Sequence, residues 1–320
     1  MKDLIEKAKK KIPGANIEFG NSSNLKINWI DTGIPILNNL LGSGIPRGRV
    51  TLFVGPYGGG KTFTTQVIMG KVQRNGGIAA YIDVERGYDP DWFKKSGVKI
   101  EELFVSQPTS GEIALDTVLF LIEEGIDIIV LDSIAALVPS EELEKNMEQF
   151  TIGAQARMFN KGLRKVIQAF TNRAHELGSE KNSAFIAVNQ VRSGIGGPIT
   201  FETYPAGKGQ QSFASIIMKV HRGPWHHEGK EVGFEISCKT EKNKLATPFQ
   251  NCSIPFKFTG EVDVLVGLID LALNVGIIQQ RGPYFQYGDF KVQGKLGLIN
   301  YIKDNNLQEE IQKALRRENV

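Results

Sequence analysis

Cysteine and histidine are scarce in this chain of 320 residues: Cys238 and Cys252, with His175, His221, His226 and His227, are all it has. Two cysteines cannot build a disulfide framework, and histidines so scattered give no zinc-site spacing. Both thiols are expected to be reduced packing residues. Long apolar runs are missing too. The most hydrophobic stretch, residues 126–138, is interrupted by Asp127 and Asp132, well short of the roughly 18–20 apolar residues of a membrane span. The opening Met1-Lys2-Asp3-Leu4 lacks the apolar segment of a secretory signal, so the expected location is cytoplasmic, with no membrane partner. No excess of one charge exists either: 38 basic against 35 acidic residues leave +3. Any nucleic-acid contact must therefore be local rather than carried by bulk charge. Disorder is excluded by 41% hydrophobic and 23% charged residues, ordinary values for a folded protein.

Glycine, by contrast, is plentiful at 35 residues, and its placement organises the chain. Residues 2–12 carry Leu4, Ile5, Ala8 and Ile12 at helical spacing until Pro13-Gly14 breaks the pattern. A helix so short must dock, on its own chain or on a neighbour. From about residue 30, strand-like runs (50–54, 78–82, 103–106, 126–131, 184–188, 215–220, 232–239) alternate at first with helical patterns (62–74, 90–96, 111–124, 154–177). This predicts an α/β fold, a twisted and mainly parallel sheet between helices. The expected units are an N-terminal helical arm (1–28), a core (29–258) and a small α+β domain (259–320). Within the core, residues 192–209 are rich in glycine and proline without periodicity, as functional loops are.

The strongest motif is Gly55-Pro56-Tyr57-Gly58-Gly59-Gly60-Lys61-Thr62, which fits G-x-x-x-x-G-K-[ST] between a strand and a helix. Its glycines let backbone N–H groups turn towards phosphate oxygens, and the helix N-terminus adds positive partial charge. Lys61 would reach the β- and γ-phosphates of ATP, and Thr62 would ligate Mg²⁺. Asp132 ends the apolar run Ile128-Ile129-Val130-Leu131, at the strand edge where α/β sheets bind ligands, and would face the same Mg²⁺. Asp83 and Glu85 follow another strand. Alternation puts both on one face, so either could activate water. Asn189-Gln190 stands just before the glycine-rich loop, where an amide could sense the γ-phosphate. Lys242 and Lys244, taken alone, read as a solvated turn.

These pieces, in this order, resemble the RecA family of homologous-recombination ATPases, in its bacterial and phage branch. Tyr81-Ile82-Asp83-Val84-Glu85 with Asp89-Pro90 is similar to F-I-D-A-E…D-P; Ser106-Gln107-Pro108 with Gly111-Glu112 to S-Q-P-x-x-G-E; Asp132-Ser133-Ile134-Ala135-Ala136-Leu137 to D-S-V-A-A-L. Asn189-Gln190-Val191-Arg192 and the segment from Lys242 to Phe249 resemble N-Q-I-R and K-N-K-x-A-x-P-F. The resemblance implies a RecA-like P-loop ATPase core and an ATP-dependent recombinase that forms helical filaments on single-stranded DNA and exchanges strands with double-stranded DNA. It implies Glu85 as the carboxylate that activates water, Gln190 as the γ-phosphate sensor, and Asp89 and Trp92 at adenine, Trp92 standing where the family usually has Tyr. It implies Lys242 and Lys244 reaching a neighbouring subunit's ATP, so that a homo-oligomer completes each site in trans.

DNA contacts are implied in two loops. One spans about 141–153, with Ile152 and the following Arg157; the other is 192–209, with Arg192, Ser193, Gly194, Gly207, Lys208 and Gly209. The chain departs from the pattern at Gln211 and Ser212, where members place a Lys and a Phe at the subunit interface, which leans towards a phage or otherwise divergent member. It also lacks the acidic tail of many bacterial members, an expected easing of duplex access. Rival expectations are a ring-forming helicase or its loader, and a P-loop kinase or signalling ATPase.

Overall fold

The structure is a computed structural model and describes residues 2–12, 14–146, 153–193, 202–227 and 230–317. Its centre is an eight-stranded sheet: β1 (Val50–Gly55), β2 (Ala79–Asp83), β3 (Leu103–Ser106), β4 (Ile128–Asp132), β5 (Ala184–Gln190), β6 (Ile216–His227), β7 (Lys230–Asn243) and β8 (Asn251–Lys257). The spatial order is β8-β7-β6-β1-β5-β4-β2-β3. Strands β6 to β3 run parallel, while β7 and β8 add an antiparallel edge. Both neighbours of β1 come later in the chain, so the order reverses around it. Ligands bind beyond the carboxyl ends of strands at such a point.

The main helices are α1 (Lys2–Lys11), α2 (Pro35–Leu41), α3 (Lys61–Arg74), α4 (Pro90–Lys95), α5 (Gly111–Glu124), α6 (Ala154–Leu177) and α7 (Gly209–Phe213), then α8 (Val264–Asn274), α9 (Gly294–Asp304) and α10 (Gln308–Arg317). Every residue of β1, β2 and β4 is buried, because successive side chains feed two cores, one on each face. Phe53, Tyr81, Val130 and Ile186 pack with Ile68 and Met69 of α3. Leu52, Ile82, Leu131 and Ala187 pack with Leu115 and Val118 of α5 and Phe159 and Leu163 of α6. Burying each of these large side chains contributes roughly 1.5–3 kcal/mol. Ser110 caps α5 by accepting from Ile113 N at 3.3 Å, and Gly125 ends it at φ +83°, the left-handed stop that favours glycine.

The β6–β7 hairpin outruns the expected strands. Past Val220 the ladder continues from His221↔Ser237 to His227↔Lys230, with β6 no longer paired to β1. Freed from a second neighbour, it loses the apolar pattern by which strands are recognised.

Residues 264–317 combine α8–α10 with an antiparallel three-stranded sheet, β9 (Gln279–Arg281), β10 (Tyr284–Tyr287) and β11 (Phe290–Gln293). Their apolar residues, Leu265 and Ile269 among them, run continuously into the core through Ile36 and Leu40 of α2. At the other end, α1 leaves Leu4 70% and the adjoining Ile12 57% exposed. Among the described residues, no helix is long and apolar enough to cross a membrane.

Candidate nucleotide-binding site and nucleic-acid loops

The chain leaves β1 into the Gly55–Thr62 loop and enters α3 at Lys61. A Cβ on Gly60, at φ +93°, would lie 2.9 Å from Ile236, and one on Gly59 would lie 2.8 Å from Val220 O. Only glycine lets this loop close on the hairpin. Lys61 is buried and donates to Gly55 O (3.0 Å) and Pro56 O (2.7 Å), using two of an ammonium's three donors. Burial lowers its pKa, against the opposing pull of Asp132 and Glu85.

Around the loop lies a cavity of about 440 Å³, whose lining includes Tyr57 to Thr62, Glu85, Trp92, Asp132 and Gln190. Asp132 accepts from Thr62 Oγ1 at 2.5 Å and from Tyr81 OH at 3.2 Å. Burial, with the Glu85 charge nearby, pushes its pKa up to about 6 in spite of those bonds and of Lys61. A hydroxyl and a carboxylate in contact form a hard-oxygen pair that fits Mg²⁺, which keeps most of its waters and takes few protein ligands.

Because this pKa is raised in the folded state, stability is lost as pH rises through the window from 3.8 to about 6, roughly 3 kcal/mol at neutral pH. Asp132→Asn should therefore raise the melting temperature of the nucleotide-free protein at pH 7.5 and change it little near pH 4. A proton on this carboxylate would compete with Mg²⁺ held there, so Mg²⁺-dependent nucleotide affinity should weaken below about pH 6. Calorimetric titration across pH checks this, and a flat profile in the wild type contradicts it.

Asp83 and Glu85 do not share a face. The strand stops at Asp83, Val84 N and Glu85 N turn to Asp132 O, and alternation ends with the extended backbone. Asp83 is fully buried and accepts from Gly87 N (2.9 Å), Tyr88 N (3.1 Å) and Gln107 Nε2 (2.9 Å). With its lone pairs so occupied, it holds the turn. Glu85 lines the cavity, where its Oε1 accepts from Ser133 Oγ and from Gln190 Nε2, the latter at 3.0 Å. Asp89 does not line the cavity; its Oδ1 caps α4, accepting from Asp91 N (3.0 Å) and Trp92 N (3.2 Å).

Lys242 and Lys244 lie away from this cavity. Lys242 pairs with Ile217, itself level with Leu52 inside the sheet, several residues below the phosphate loop. Its Nζ donates to Gln211 O and, at 3.5 Å, to Ser212 O. Burial and the neighbouring Lys244 lower its pKa.

Of the loop residues, Ile152 and Gly194 lie outside the described residues. Arg192 and Ser193 pair with Thr203 and Glu202, closing the root of the second loop. Gly207 and Lys208 are exposed, and Gly209 packs so tightly that a Cβ would fall 2.2 Å from Asn160 Oδ1. Arg157 is exposed on the first turn of α6, which Gln155 ties to the segment after β4 by donating to Leu137 O at 2.8 Å.

Several residues here have partners that their place in the sequence does not give. Asn189 Nδ2 donates to Pro205 O (3.1 Å) and Gln210 Oε1 (2.9 Å), fastening the second loop to the strand end that carries Gln190. Ser133 touches Glu85, and its place directly after Asp132 was the available clue. Arg222 lines the cavity with its guanidinium 4.1 Å above the Phe234 ring.

A glycine loop at a strand-order reversal, a lysine inside it and a part-buried Asp–Thr pair beside it define a P-loop nucleotide-binding ATPase. Comparison with known proteins carries this to a family. The RecA N-terminal domain family matches residues 1–263. The chain is 38% identical to Protein RecA of Thermus aquaticus over 314 residues, 95% of this chain and 89% of that protein. It is similarly 38% identical to Protein RecA of Chlorobaculum tepidum (95% and 87%) and 35% identical to that of Aquifex aeolicus (95% and 87%). The chain belongs to the RecA family: it is an ATP-dependent DNA recombinase and a DNA-dependent ATPase.

Proposed function

We propose that the protein polymerises head to tail on single-stranded DNA with ATP between subunits, and that each catalytic site is built from two protomers. Lys61 and the backbone N–H groups of residues 58–62 bind the phosphates, Trp92 stacks on the base, and Thr62 and Asp132 hold Mg²⁺. That ion, when bound, neutralises charge developing on the transferred phosphoryl group. Glu85 takes the proton of the attacking water. Lys242 and Lys244 of one protomer supply cations to the ATP of the next, as an arginine finger does. Such a heterologous interface makes an open helix when its rotation does not close. The exposed Leu4 and Ile12 are the face by which α1 docks on the neighbour.

The single observation that carries this reading is the Glu85–Gln190 hydrogen bond, next to Asn189 in the root of the second loop. Adjacent residues point to opposite sides of a strand. One strand end therefore touches both the water-activating carboxylate and a DNA-facing loop, and loss of the γ-phosphate is felt by both. Arg157, Lys208 and the loop backbone supply contacts that are weak singly and add along a filament.

Hydrolysis should rise with single-stranded DNA and with protein concentration. Mixing equal amounts of Lys61→Ala with a Lys242→Ala/Lys244→Ala variant, each inactive alone, should restore about one site in four, because half of the phosphate loops then face an intact neighbour half of the time. Activity indifferent to dilution and DNA, with no recovery on mixing, refutes the shared site.

A further inference from the structure

Beyond the phosphate loop the cavity has an aromatic end. Trp92 meets Phe63 and Phe256 with ring centroids 6.4 Å from each, and Phe63 meets Phe256 at 3.9 Å. Aromatic walls hold a flat base but do not read its edge, since a π-face offers no hydrogen-bonding pattern. One amide stands among them. Gln66, one helical turn beyond Thr62 on α3, lines the cavity although only 1% of its surface is exposed. Its Oε1 accepts from Ser96 Oγ at 2.7 Å, the shorter of the two bonds open to that hydroxyl's one hydrogen, the other being to Trp92 O at 3.0 Å. Its Nε2 has no acceptor among the described residues. Nor is that nitrogen sealed off, since the buried side-chain atoms without partners there belong to Thr51, Asn160 and Ser183. A donor without a partner in an apolar wall can be satisfied by a ligand that reaches it.

We infer that Gln66 reads the nucleotide base: its Nε2 donates to a ring nitrogen of the purine lying against Trp92, while Ser96 holds the amide with its nitrogen towards the cavity. The inference rests on the nucleotide site proposed above and adds the group that recognises the base edge. With its oxygen held by Ser96, the amide turns its donor towards the cavity. That suits an unprotonated ring nitrogen of a purine, and it separates adenine from guanine where that nitrogen is N1, which carries hydrogen in guanine. Ser96 acts only through Gln66 and is a positioning residue.

The test uses 1-deaza-, 3-deaza- and 7-deaza-ATP, each missing one ring nitrogen, in competition with a fluorescent ATP analogue on the full chain. One of the three should bind the wild type about 3–10-fold more weakly than ATP does. The same analogue should bind Gln66→Leu as well as ATP does, because the partner is already gone. Gln66→Met, closer in length, serves where Leu disturbs packing. Ser96→Ala should narrow the gap between ATP and that analogue, a change that altered packing alone would not produce. If all three analogues match ATP on the wild type, or if the weak one is equally weak on Gln66→Leu, Gln66 does not read the base. If the wild type binds ATP no better than Lys61→Ala does, the site itself is refuted, and this inference with it.

Discussion

Glu85→Gln is expected to lower the rate of ATP hydrolysis by about 10²–10⁴-fold, the usual contribution of a general base, while changing nucleotide affinity less than threefold or so. The substitution is clean because of what surrounds the side chain. Ser133 Oγ and Gln190 Nε2 both donate to Oε1, and a glutamine oxygen can accept both bonds, though without the carboxylate's charge. The geometry survives, while the capacity to take a proton is lost together with the charge that Lys61 and Asp132 feel. A filament that assembles on ATP and cannot spend it should stay on DNA, so dissociation from a labelled oligonucleotide after dilution should slow together with hydrolysis. A single-turnover rate within a few-fold of the wild type means that the water is activated elsewhere.

Lys61→Ala should weaken nucleotide binding by roughly 10²–10³-fold, the effect of leaving the buried Asp132 and the bound phosphates without their cation. Lys61 sits where burial disfavours its own charge, and Asp132 and Glu85 are the groups that favour it. Remove the ammonium, and those two carboxylates face a triphosphate with no cation from this loop. The loop also loses the bonds to Gly55 O and Pro56 O that span it. Titration with a fluorescent ATP analogue measures the effect, and circular dichroism separates it from unfolding. Affinity within tenfold of the wild type contradicts the assignment.

How much of this was legible beforehand depended on distance along the chain. The phosphate loop could be read directly because a few adjacent glycines dictate the backbone that forms it. Asp132 could be read because an apolar run ending in a carboxylate marks a strand edge. Separating Glu85 from Asp83 by alternation failed for a local reason, the turn that begins as the strand ends. Asp89 shows the opposite ambiguity. An Asp before a Pro is both a helix cap and, by resemblance, an adenine contact, and the structure shows its Oδ1 engaged in the cap.

Composition, periodicity and short motifs by themselves determined an α/β nucleotide-binding fold and the loop, Asp132 and Gln190 that line its cavity, because those features arise within a few residues of one another. Only the tertiary structure decided that Gln66 meets Ser96, that Asn189 fastens Pro205 and Gln210, and that Lys242 lies off its own protomer's cavity. Those partners are far apart in the chain and are matched by strand order, with β1 between β6 and β5. That order is settled by how two apolar faces are buried together, which no local pattern encodes.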